Sequence, residues 1–213
     1  MSETSELVQS PALKRGRPED IVTHAGLSKR PQVHGRFLTV GDRRFWVKGV
    51  TYGTFRANDA GEPFPARAQV REDFARMSET GVNTVRLYSP PPDWLADAAA
   101  EAGLFLFPDI CWGPRRCEID DPDRLRLLFD WTREHSRRLA NHPAILLFSI
   151  GNEIPPLIVR WYGLRRVEKF LRDLNDTVKE QAPHALTWVL VAVGNVQPDW
   201  EPFLSVSFTA LSA

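Results

Sequence analysis

The chain has 213 residues, 43% of them hydrophobic and 25% charged, and its 27 basic residues are matched by 27 acidic ones. This is the profile of an ordinary globular domain with one sizeable core, and a formal net charge of zero supplies no field to draw in nucleic acid or an anionic membrane. No apolar run approaches the ~18 residues that span a bilayer, and the N-terminal MSETSELVQSPALKRGRPED lacks the apolar core of a secretory signal, so a cytoplasmic location without membrane contact is expected.

Residues 1–33 mix Ser, Pro, Lys, Arg and Glu without apolar periodicity, which predicts a flexible tail ahead of a folded domain over residues 34–213. From Gly35 onward a unit repeats: apolar run, loop, amphipathic helix, Gly or Pro, apolar run. That alternation predicts βαβ units and a parallel sheet, hence an α/β fold. The first strand is expected over Arg44 to Tyr52, followed by a helix over Ala66 to Thr80 that Gly81 stops. Val82 to Tyr88 reads as strand two, Pro90-Pro91-Pro92 ends it, and Asp93 can cap the Ala-rich helix closed by Gly103. Leu104 to Asp109 is strand three, and a helix over roughly Asp123 to Ala140 ends at His142-Pro143. Ala144 to Ile150, a continuous apolar run buried on both faces, is strand four, with Gly151-Asn152-Glu153 at its C-terminal end. One long helix over Leu157 to Gln181 and a fifth strand over Thr187 to Val193 follow, and Leu204 to Phe208 offers a sixth.

In parallel α/β folds functional side chains gather where strands end and loops begin. The residues there are Tyr52, Arg86 with Tyr88, Asp109 with Trp112, and Asn152 with Glu153. Aromatic faces for sugar rings, polar groups for hydroxyls and a carboxyl set among apolar strand residues suit a carbohydrate site. Such a carboxyl can have its pKa raised by desolvation, as a general acid requires. The same residues have blander readings: a strand-end carboxyl as a helix cap or loop ion pair, Arg86 as ion-pair partner of Glu153 or Asp109, and Tyr88 and Trp112 as core cover.

The run Asn141 to Glu153, NHPAILLFSIGNE, resembles the acid/base signature of glycoside hydrolase family 2, within the larger group of (β/α)₈ glycosidases that includes family 5. Val47-Lys48-Gly49-Val50 and Gly81 to Arg86 resemble strands one and two of the same enzymes, so the likeness covers residues 36–193. The resemblance implies a retaining glycosidase acting on β-linked carbohydrates, with Glu153 as acid/base, Asn152 on the sugar 2-hydroxyl, and Arg86 as the arginine that buttresses the nucleophile. Phe148 departs from the Trp usual in family 2, and Gly194 to Ala213 reads unlike the family's fifth-to-sixth strand region. A (β/α)₈ barrel takes ~250 residues. The expectation is therefore an incomplete TIM barrel of five to six parallel strands with crossover helices, C-terminally truncated before the strand-seven nucleophile. Such a chain is expected to be weak or inactive alone. The alternative is a non-catalytic carbohydrate-binding remnant or assembly module completed by another chain, with self-association through open sheet edges.

Other features are expected to be structural. Trp46, Trp94, Trp131, Trp161 and Trp188 read as packing residues, and His135 and His142 as surface or packing histidines. Cys111 and Cys117 read as ordinary thiols, with no catalytic metal and no cofactor expected. Lys14-Arg15-Gly16-Arg17-Pro18 resembles an AT-hook core, but Glu19 and Asp20 follow it, and no nucleic-acid partner is expected.

Overall fold

A computed structural model describes residues 27–191 apart from 28, 36, 59 and 111–118, and the side chains of 153, 190 and 191 also lie outside the description. The expected tail up to residue 26, the AT-hook-like segment, both cysteines and the sixth strand fall outside it.

The described chain begins with a small antiparallel sheet that the sequence did not announce. β1 (Pro31–His34), β2 (Phe37–Val40) and β3 (Arg43–Phe45) pair in chain order. The register sets His34 opposite Phe37 and Val40 opposite Arg43. Gly41 turns the second hairpin at φ 63°, where a Cβ would also lie 2.8 Å from Lys29 Cδ. Two corrections follow. β1 takes in residues read as tail, and the expected strand Arg44 to Tyr52 is two strands. Phe45 ends β3, whereas β4 (Gly49–Thr51) belongs to the parallel sheet. Asn83 secures the crossing: its side chain accepts from Lys48 N (2.8 Å) and donates to Trp46 O (2.8 Å), while its own N–H donates to Lys48 O (3.0 Å).

From β4 onward the βα alternation appears as expected. α1 (Arg67–Glu79), β5 (Thr84–Leu87), α2 (Asp93–Glu101), β6 (Phe105–Pro108), α3 (Pro122–Leu139) and β7 (Phe148–Ile154) follow in order. Then come α4 (Pro156–Tyr162), α5 (Leu164–Gln181) and β8 (Thr187–Val191). β4, β5 and β6 pair parallel, as do β7 and β8, and parallel bridges Leu106↔Ile145 and Asp109↔Ser149 carry β6 onto β7. Among the described residues five parallel strands thus lie side by side in chain order with helices between them. This is an incomplete (β/α)₈ TIM barrel.

Local chemistry sets the element ends. Gly81 and Gly103 follow α1 and α2 at φ 84° and 71°, where an L side chain is strained. Asp121 caps α3, its Oδ1 accepting from Asp123 N and Arg124 N, both at 3.1 Å, with Pro122 in the first turn. Asp93, expected as a cap, is instead the first residue of α2 behind Pro92, and its carboxylate pairs with Arg138 on α3. The long helix expected from Leu157 is broken at Gly163, φ 80°, into α4 and α5. Strand four starts later than expected. Ile145 makes only an isolated bridge, and β7 runs through Gly151-Asn152-Glu153 with register shifts against β8 at Ser149/Gly151 and Gly151/Ile154.

Alternation sorts the strands' side chains into two layers. Val85, Leu87 and Leu106, each fully buried, face the helices beside Val70, Phe74 and Leu174. On the inner side Phe105 meets Phe45 of β3 edge-on at 5.1 Å, and with Leu146 they form a second cluster that seats the antiparallel sheet against the N-terminal ends of the parallel strands. The opposite, C-terminal ends carry the polar residues.

Candidate active site

Because Val85 and Leu87 point to the helices, Arg86 between them points to the inner face. One strand over, the same parity sets Leu106 outward and Phe107 and Asp109 inward. Three rings surround the guanidinium: Tyr88 at 5.0 Å, Phe107 at 5.6 Å and Trp188 at 5.9 Å from its carbon. Phe107 and Trp188 also meet edge-on at 5.1 Å. Such contacts favour a fixed cation.

Arg86 joins the neighbouring strands. Its Nη2 donates to Asn152 Oδ1 at 2.5 Å and lies 3.5 Å from Asp109 Oδ2. Asp109 is only 6% exposed, and burial pushes its carboxyl above the ordinary carboxylate value although the Ser149 hydroxyl and the Arg86 charge pull the other way. Its backbone is pinned on both sides, Asp109 N donating to Leu87 O at 2.8 Å and Ile110 N to Ser149 O at 3.0 Å.

The fold therefore brings together Arg86, Tyr88, Asp109 and Asn152. Glu153 follows Asn152 within β7, where the ladder shifts register; bulges of this kind re-aim side chains beside active sites. The Glu153 side chain and the whole of Trp112 lie outside the described residues.

Tyr52 does not join the group. It is 7% exposed, packs on Phe74 of α1, and donates its hydroxyl to Asp73 Oδ2 at 2.6 Å on the helix side of the sheet. Burial and the Asp73 carboxylate push that hydroxyl's pKa well above the ordinary tyrosine value. Phe107, Ser149 and Trp188 enter the site unexpectedly. Counting by twos from Arg86 and Asp109 would have found Phe107, but Trp188 required the pairing of β8 with β7.

Of the remaining tryptophans, Trp94 is half-buried with its Nε1–H donating to Glu62 at 3.1 Å, whereas Trp46 and Trp161, read as packing residues, are 64% and 78% exposed. His142 contacts Asp97 and His135 packs on Trp131, as expected of structural histidines. Among the described residues no group of His, Cys, Asp and Glu could hold a metal ion, and no helix is long and apolar enough to cross a membrane.

An arginine, an amide and a carboxyl cluster at the C-terminal ends of parallel barrel strands, ringed by aromatic faces, the end of such barrels where functional side chains gather. Glycosyl hydrolases family 2, TIM barrel domain, is the family whose model matches residues 32–179, and the chain belongs to that family. Among curated proteins it is similar to the 1,3-beta-glucanosyltransferase gel1 of Aspergillus fumigatus, 33% identical over 82 residues. It resembles GAS4 of Saccharomyces cerevisiae, also a 1,3-beta-glucanosyltransferase, at 35% over 79 residues. These alignments take in 37% and 34% of this chain and 18% and 17% of the relatives' length. Among solved structures, a β-glucuronidase of Bacteroides uniformis superposes with a TM-score of 0.62 at 20% identity, over 76% of this chain and 20% of that one. Gas2p of Saccharomyces cerevisiae in complex with laminaripentaose superposes at 0.60 and 16% identity, over 78% of this chain and 40% of that one. At these identities the superpositions speak for the fold.

Proposed function

We propose that this chain is the acid/base-bearing part of a retaining glycoside hydrolase acting on O-glycosidic bonds of β-linked carbohydrates. The observation that carries the reading is the bond from Arg86 to Asn152, which joins strand ends 66 residues apart in sequence next to Glu153. Glu153 donates its proton to the leaving glycosidic oxygen as a nucleophilic carboxylate takes the anomeric carbon. As carboxylate it then draws a proton from the water that releases the sugar. In transfer, the reaction named for the gel1 and GAS4 relatives, a sugar hydroxyl stands in place of that water. Asn152 holds the 2-hydroxyl, and Arg86, Tyr88, Asp109 and Trp112 shape the pocket.

Retention requires a second carboxylate ~5–5.5 Å from the first. Asp109, the carboxyl brought to Arg86, is paired and its burial disfavours ionisation, so it is unsuited to attack. The family resemblance supplies the nucleophile from a seventh strand, and turnover by these residues alone is expected to be weak. Hydrolysis of aryl β-glycosides by the 213-residue chain should fall by ~10²-fold or more in Glu153→Gln while sugar binding persists. Equal turnover by both proteins would sink the assignment. Tyr88, 42% exposed beside Arg86, favours a second reading in which the site binds sugar without cleaving it until another chain completes it. Binding without turnover in either protein would select that reading.

A further inference from the structure

Asn152 is exposed, yet one end of its amide is committed. The guanidinium of Arg86 carries only donors, so the amide oxygen must face it, as the 2.5 Å contact from Nη2 to Oδ1 records. The Asn152 NH₂ is thereby turned away from Arg86, and a ligand there meets a donor. The orientation of that amide is only as fixed as Arg86 itself. Behind Arg86 stands Asp109, with 7% of its side chain exposed and Oδ2 3.5 Å from Nη2. Its main chain is tied to β5 through Leu87 O and adjoins β7 through the Ser149 bridge, the strands that carry Arg86 and Asn152.

As a stabilising device this pair is poor. Arg86 Nε is buried without a hydrogen bond among the described residues, and burial works against ionised Asp109. A buried pair with an atom left unsatisfied contributes little to folding or opposes it. Residues that cost stability in this way concentrate at functional sites.

We propose that Asp109 is a positioning residue: it clamps Arg86, which holds the Asn152 amide with its NH₂ toward the ligand, so that the site selects an acceptor oxygen on the sugar. The ligand half of this inference rests on the carbohydrate reading above; the clamp itself does not.

The test uses the labelled 213-residue chain, following the Asn152 side-chain amide resonances by NMR and the binding of phenyl β-D-glucoside, β-D-galactoside and β-D-glucuronide by calorimetry. In Asp109→Asn the Asn152 resonances should shift. Affinity for a bound glycoside should fall by roughly tenfold, the worth of one good hydrogen bond. Affinity for its 2-deoxy counterpart should stay as it was, and Asp109→Glu should recover part of the loss. Unmoved Asn152 resonances, or equal losses for both glycosides, would overturn the clamp. Should Asp109→Asn fail to fold, Asp109→Ser serves instead, since it too removes the carboxylate facing Arg86 and leaves the Arg86–Asn152 contact itself in place, and the same resonances decide. If the unaltered protein binds none of the three glycosides, the carbohydrate reading fails while the resonances still judge the clamp.

Discussion

A guanidinium placed among three aromatic rings and two acceptors has few orientations left, and that restriction makes Arg86 the pivot of the site. Arg86, Asp109 and Asn152 were legible as candidates because strand ends are recognisable in sequence. Tyr52 was placed with them by the same rule and falls on the other side of the sheet, since one residue of register exchanges the two faces. His135 makes a different point at this scale. It is half-buried on α3 between Trp131 and Arg138, and burial, with the Arg138 charge added, holds its pKa below the ordinary 6.5. The folded state therefore prefers the neutral ring, and this contribution is present above 6.5 and lost as the pH falls toward the lowered value. The thermal unfolding midpoint should drop as the pH falls through 6.5 toward the lowered value, and His135→Gln should flatten part of that slope. An unchanged slope in the variant would show that His135 is not the group responsible.

Elements with long, strongly periodic stretches were legible, and short ones were not. α1, α2 and α3 lie where the apolar spacing predicts, because several turns of buried positions give a clear period. β1, β2 and β3 have three or four residues each, too few for alternation to stand out: β1 was read mostly as tail, β2 was assigned no element and β3 was taken as part of a longer strand. Gly163 was overlooked because the apolar positions of α4 and α5 read as one continuous helix. It holds φ 80° with nothing within 4 Å of where a Cβ would sit, so the cost of a side chain there is conformational rather than steric. Gly163→Ala should lower stability by about 1–3 kcal/mol in urea denaturation, because φ 80° with ψ 146° is a backbone conformation essentially confined to glycine. A stabilised variant would mean that the chain can straighten into the single helix the sequence suggests.

At the scale of the whole molecule, the described barrel strands run from β4 to β8, and among the described residues β4 pairs only with β5. Beside that edge Trp46, Val47 and Val50 are 64%, 52% and 37% exposed. With formal net charge zero there is no general repulsion to keep copies apart. Sedimentation velocity is expected to show association rising with concentration, and Val50→Lys should reduce it by charging the edge. A monomer at all concentrations would indicate that the edge is already covered. By itself the sequence determined the alternation of strands and helices, the family, and the position of Asn152-Glu153, because periodicity and a long local motif are properties of neighbouring residues. Only the tertiary structure decided that Arg86 reaches Asn152 and Asp109, that Trp188 joins their surroundings, and that Tyr52 turns to Asp73. Those contacts depend on the register between strands far apart in the chain, which no local pattern encodes.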